Sequence, residues 1–217
     1  MDQDSFEPKP SRKELERLRR RSDILHAARE LFINKGFVSA TLEEVAQAAE
    51  FGKGTIYNYF ANKEELLWGM LEQFLDETAE LAQAEFGSSE KTARKKFEDY
   101  AKAVISRGRE HEFFHTIMKE QHVLEASDTQ GRMSLLAGKI RTCWGIIAQE
   151  IEKEMAAGRF KQGNALQMAG LFDLMIRAFG MGTQSKKFPI SAVPPDEVVA
   201  LVVSTFLDGV AIHTVEG

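Results

Sequence analysis

Residues 41–63 read TLEEVAQAAEFGKGTIYNYFANK, and the rest of the chain is organised around them. Thr41 followed by Glu44 is a capping box, which starts a helix. Leu42, Val45, Ala46 and Ala49 then recur at helical spacing and form a narrow inward stripe. Glu50-Phe51-Gly52 reads as a turn, with Phe51 as its apolar plug and Gly52 free to begin the next helix. That second helix, about residues 52–60, has the wrong composition for a core helix. Ile56 and Phe60 lie four apart, share one face and can pack down. The other face offers Lys53, Thr55, Tyr57, Asn58 and Tyr59, with Gly54 leaving the backbone bare. A helix anchored on one side, with short polar groups and one cation on the other, suits insertion into the DNA major groove.

Working outward, Lys53-Gly54-Thr55-Ile56-Tyr57-Asn58-Tyr59-Phe60 and Asn62-Lys63-Glu64-Glu65-Leu66 match, nearly letter for letter, the pattern of one known family. The stretch resembles the helix-turn-helix of the TetR family of bacterial transcriptional regulators. It departs from that pattern at two places. Glu50 stands where the family usually has Gly, so a residue with a Cβ must take the turn conformation. Gly52 stands where the family usually has Ser, which removes a side-chain cap and a phosphate-binding hydroxyl. The resemblance implies an all-α chain, with an N-terminal three-helix DNA-binding lobe and a larger helical ligand-binding and dimerisation body. It implies base contacts from Lys53, Gly54, Thr55 and Tyr57, and phosphate contacts from Thr41, Asn58, Tyr59 and Lys63. It also implies a homodimer, double-stranded operator DNA as partner, and a small-molecule effector that releases a repressor.

Charge distribution agrees with such a division. The net charge is −5, yet residues 9–63 hold eleven Lys and Arg against seven Asp and Glu. A mildly basic lobe on an acidic body attracts phosphate locally without binding everywhere. Cys143 is the sole cysteine, so no intrachain disulfide framework exists, and a reducing cytoplasm is the expected compartment. The acidic start MDQDSFEPKP does not read as a signal peptide. Val198 to Ile212, the most apolar stretch, is interrupted by Asp208 and too short to span a bilayer, so no membrane role is expected.

Residues 1–10 read as a disordered arm, 11–63 as the DNA-binding domain and 64–217 as the effector-binding and dimerisation domain. Ser11 and Glu14 form another capping box, opening a helix with Leu15, Leu18, Ile24, Leu25, Ala28, Leu31 and Phe32 inward and Gly36 as its stop. Arg17, Arg19, Arg20 and Arg21 around its first half read either as a solvated face or as a patch for phosphate. Asn62 can cap a long helix running to about Phe86. Further helices are expected over about 90–107, 109–125, 129–157, 163–182 and 196–214, with no alternating strand pattern. The last is apolar almost all round and must be buried on all sides. An interface with a second subunit would supply that cover; a central place in its own core is the alternative.

His111-Glu112-Phe113-Phe114-His115 matches H-E-x-x-H, in which two imidazoles hold zinc and a Glu activates water. His122 follows on the same expected helix, in no familiar third-ligand arrangement. A zinc-dependent hydrolase is therefore the alternative function, and a helical scaffold without a DNA role the third. No cofactor and no catalytic residue is expected on the preferred reading. The effector pocket that the family resemblance implies would be lined by His111, Phe114, His115, Met118, Trp144, Phe172, Met175 and Phe179, and would take a mostly hydrophobic small molecule.

Overall fold

The computed structural model describes residues 11–119, 131–184 and 189–210. The expected arm 1–10, His122, and the ends of the helices expected over 109–125 and 196–214 lie outside them. The described chain is all-α. Its helices are α1 (Arg12–Lys35), α2 (Leu42–Ala48), α3 (Lys53–Tyr59), α4 (Lys63–Phe86), α5 (Ala93–Ser106), α6 (Gly108–Lys119), α7 (Arg132–Ala156), α8 (Ala165–Gln184) and α9 (Pro195–Val210), with a short 3₁₀ turn at Pro189–Ala192. None of the described helices is long and apolar enough to cross a membrane. The chain divides into two compact units, Met1–Met70 and Leu71–Gly217, so the boundary falls inside α4 rather than at its start.

In the first unit both capping boxes form. Ser11 and Thr41 each accept from the backbone N–H three residues on, while Glu14 and Glu44 reach back. Gly36 ends α1 at φ 87°, in the region open to glycine, and donates to the Phe32 carbonyl. The core comprises Ile24, Leu25, Ala28 and Phe32 of α1, Val45 and Ala46 of α2, Ile56 of α3, Phe60, and Leu66, Leu67 and Trp68 of α4. Leu15 and Leu18 were expected inward but are more than half exposed. The reason is length. α1 has 24 residues, whereas α2 and α3 have seven each and are too short to cover its whole inner face. Asn62 accepts from the Glu65 N–H at 2.8 Å and caps α4, as its place in the sequence suggested.

In the second unit, Phe97 of α5, Phe172 of α8 and Phe206 of α9 form an aromatic centre, with Phe97 edge-on to Phe172 at 4.9 Å. A buried pair, Lys96 and Glu150 at 2.9 Å, ties α5 to α7. The last helix corrects one expectation. Val198, Val199, Val202, Val203, Phe206 and Leu207 are buried in their own subunit, and only Leu201 among its large apolar residues is exposed, at 52%. Most of the helix is thus core of its own chain, which was the alternative reading, and a narrow face is left outward.

Glu50 takes φ 57° and is the one non-glycine residue at positive φ among those described. A side chain in the left-handed region costs about 1–2 kcal/mol. Glu50→Gly should therefore stabilise the protein by about 1 kcal/mol, part of the relief being offset by glycine's unfolded-state entropy. A denaturant midpoint shifted upward at unchanged slope is the expected reading.

Candidate functional site

α3 is held by one face. Ile56 is fully buried and Phe60, which follows the helix, is 2% exposed. Lys53, Gly54, Tyr57 and Asn58 lie outward, while Thr55 and Tyr59 are half-buried. The polar face expected from the sequence is therefore presented with its tyrosines unequal. Gly52 caps α3 without a side-chain bond, as its substitution for the usual serine implies. Lys53 pairs with Glu43 of α2, and its ammonium lies 5.8 Å from the centre of the Tyr57 ring. Both partners of that pair are exposed, so the pair is weak and Lys53 can exchange Glu43 for another anion. The Thr41 hydroxyl is occupied by the capping box of α2.

Lys63 does something the sequence did not suggest. Its ammonium donates to the carbonyls of Phe37, Val38 and Ala40 at 2.8, 3.0 and 3.2 Å, and lies 4.6 Å from the centre of the Phe37 ring. An ammonium has three protons, and all three are used. Lys63 thus clamps the α1–α2 connection to the first turn of α4 instead of projecting a charge outward. Of the four arginines Arg17, Arg19, Arg20 and Arg21, Arg20 pairs with Glu16 and Arg21 sits over the Phe60 ring, while Arg17 and Arg19 lie on the exposed face.

In the second unit the polar chemistry converges on a carboxylate that the sequence reading did not single out. Asp173 of α8 is 2% exposed. It accepts from the Tyr100 hydroxyl at 2.9 Å, the Trp144 indole N–H at 3.0 Å and Arg177 Nε at 2.7 Å. Arg177 passes the contact on, its Nη1 lying 3.0 Å from His111 Nδ1. A guanidinium only donates, so Nδ1 is the acceptor and the imidazole proton sits on Nε2. Burial, then the charges of Arg177 and Arg107, push the His111 pKa down to about 2. Burial and the nearby Asp173 carboxylate push the Cys143 thiol up to about 11, which keeps it protonated and unreactive. The signal for this network was a charged pair, Asp173 and Arg177, spaced i and i+4 on an otherwise apolar helix.

Among the described residues, those expected to line a pocket have varied surroundings. Phe172 belongs to the aromatic core. His111 and Phe114 pack on Phe74 of α4 at 5.0 and 4.4 Å. Met175 and Phe179 are partly buried against the core. Met118's side chain lies outside the described residues. Trp144 lines a groove between α7 and α8. The H-E-x-x-H reading has no support in this geometry. His111 faces a guanidinium that repels a dication, and His115 lies exposed at the edge of the buried stripe formed by His111, Phe114 and Ile117.

Residues 24–68 match the family described as bacterial regulatory proteins, tetR family. YfiR of Bacillus subtilis, an HTH-type transcriptional regulator of uncharacterized role, is 37% identical over 59 residues, which are 27% of this chain and 29% of that protein. The chain thus spans under a third of the length of this curated relative. Two solved structures extend the likeness to the whole fold. A bacterial regulatory protein in the tetR family from Rhodococcus RHA1 superposes with a TM-score of 0.65 at 18% identity, over 90% of this chain and 98% of that one. A TetR-family transcriptional regulator from Pectobacterium atrosepticum gives 0.62 at 18% identity, over 94% and 99%.

Below its unfolded pKa near 6.5, His111 takes up a proton when the chain unfolds but stays neutral in the folded state. Stability should therefore be unaffected by this group above about pH 6.5 and fall by about 1.4 kcal/mol for each unit below it. His111→Gln keeps an acceptor for Arg177 and cannot titrate. It should remove about 2 kcal/mol of the stability lost between pH 7 and pH 5, measured by urea melts at both.

Proposed function

We propose, for a chain that belongs to the TetR family of bacterial regulatory proteins, that it binds double-stranded operator DNA as a homodimer and lets it go when a mostly apolar small molecule occupies the body. The observation that carries this reading is the two-sidedness of α3. Ile56 and Phe60 seat it, and Lys53, Gly54 and Tyr57 face out from it. Lys53, Gly54, Thr55 and Tyr57 are the base-reading group, with Thr55 working from a half-buried position. Asn58, Tyr59 and the exposed Arg17 and Arg19 take phosphates; Thr41 adds its backbone end of α2. Lys63 supports these contacts by fixing the loop between α1 and α2.

Assembly follows from what the last two helices leave uncovered. Leu171 and Leu174 of α8 and Leu201 of α9 are each more than half exposed, while their neighbours are buried within the subunit. Exposed leucines on adjoining helices are the surface a two-fold partner would cover. A two-fold dimer reads a two-fold site, so duplexes selected from a random pool should be near-palindromic, with half-sites spaced by whole turns of the double helix.

Leu174→Glu should give a folded monomer by sedimentation that loses affinity for the selected duplex. Val202→Glu should behave differently. Val202 is 1% exposed in its own subunit, so an unpaired charge there should cost several kcal/mol of folding stability and yield aggregate. A dimer that survives Leu174→Glu and Leu201→Glu together would count against this interface.

A further inference from the structure

A groove beside Trp144 lies between α7 and α8. Ala137, Ile140, Arg141 and Trp144 of α7 form one wall and Leu166 and Gln167 of α8 the other, enclosing about 320 Å³. This is the lower end of the range for small-molecule sites, roughly 300–1,000 Å³. Two features fix the floor. At Gly170 a Cβ would stand 3.0 Å from the Trp144 ring, so only glycine lets the indole lie this close to α8. The indole N–H is already given to Asp173, so the ring brings no unmet donor to the groove.

The rim has the opposite character. Arg141 is exposed, and among the described residues no hydrogen bond or ion pair engages its guanidinium. Apolar walls favour a hydrocarbon tail, and a lone cation at their edge favours an anion with planar oxygens. We propose that this groove binds an amphipathic carboxylate, its short acyl tail against Trp144, Ile140 and Leu166 and its carboxylate at Arg141. The inference rests on the reading of the body as effector-binding and gives that effector a chemical class. Through Trp144 such a ligand would touch the Asp173–Arg177–His111 network, and through His111 the ring of Phe74 on α4.

The chain has two tryptophans, and Trp68 is 1% exposed, so Trp144 reports the groove. Octanoate and the neutral alcohol octanol should be titrated into the full chain, with Trp144→Phe as the blank. Octanoate should give a saturable change in emission and bind about tenfold more tightly than octanol, the size of one charge-assisted contact at an open rim. Arg141→Gln alters an exposed residue and should fold normally; it should erase that preference while leaving octanol binding unchanged. Gly170→Ala should weaken both by displacing the indole. Equal affinity for the two probes, a preference that survives Arg141→Gln, or no saturable signal would each overturn the inference. Operator titrations with octanoate separate the two readings. Saturable groove binding with unchanged operator affinity would uphold the groove and overturn its effector role. An operator effect that persists unchanged in Arg141→Gln would place the ligand elsewhere and overturn the groove.

Discussion

A helix of seven residues has no stability of its own, and α3 is such a helix. Its existence depends on being seated. Ile56 and Phe60 bury the inner face, α2 packs alongside, and Gly52 begins the helix without a side-chain cap. The seat in turn depends on the α1–α2 connection, which Lys63 holds by three carbonyls from the first turn of α4. A point charge with three donors suits this task, because it can donate to carbonyls in several directions without a planar geometry to satisfy. The polar groups that α3 carries outward are thereby presented on a rigid support, which is the condition for reading base edges.

The larger unit solves a different problem. Asp173 is a carboxylate almost fully withdrawn from water, a costly place for a charge unless it is paired and bonded. Arg177 supplies the opposite charge, and Tyr100 and Trp144 supply two further donors from α5 and α7. One side chain thus couples three helices directly, and a fourth, α6, through His111. His111 is neutral because burial and two nearby guanidiniums oppose its protonation, which leaves Arg177 an acceptor it would lose if the ring were charged. The polar cluster sits beside the aromatic core of Phe97, Phe172 and Phe206.

What the sequence revealed was local. The division of α3 into two anchors and a polar face is written in i and i+4 spacing, and both capping boxes are three-residue patterns. The strain at Glu50 followed from one residue standing where a turn needs glycine. What it concealed was long-range. Lys63 bonds carbonyls 23 to 26 positions away, and a backbone oxygen leaves no mark in a sequence. The apolar run of α9 announced burial without saying on which side, so Val202 and Leu201 looked equivalent although one is core and the other exposed. Aromatic and sulfur side chains serve a core as readily as a cavity, so residue type alone does not mark a pocket; Arg141, at the rim of the groove, has no apolar periodicity to reveal it.

On the proposed function, α3 reads base edges while the phosphates are held by other residues. Tyr57, 44% exposed on the outward face, tests it most directly because its removal takes away no charge. Affinities of the wild type and Tyr57→Ala should be measured on the selected duplex and on a scrambled one across a salt series. Tyr57→Ala should lose about 1–3 kcal/mol on the selected duplex and nothing on the scrambled one, with an unchanged salt slope. Equal losses on both duplexes would contradict it, because Tyr57 would then be positioning the protein and not reading sequence.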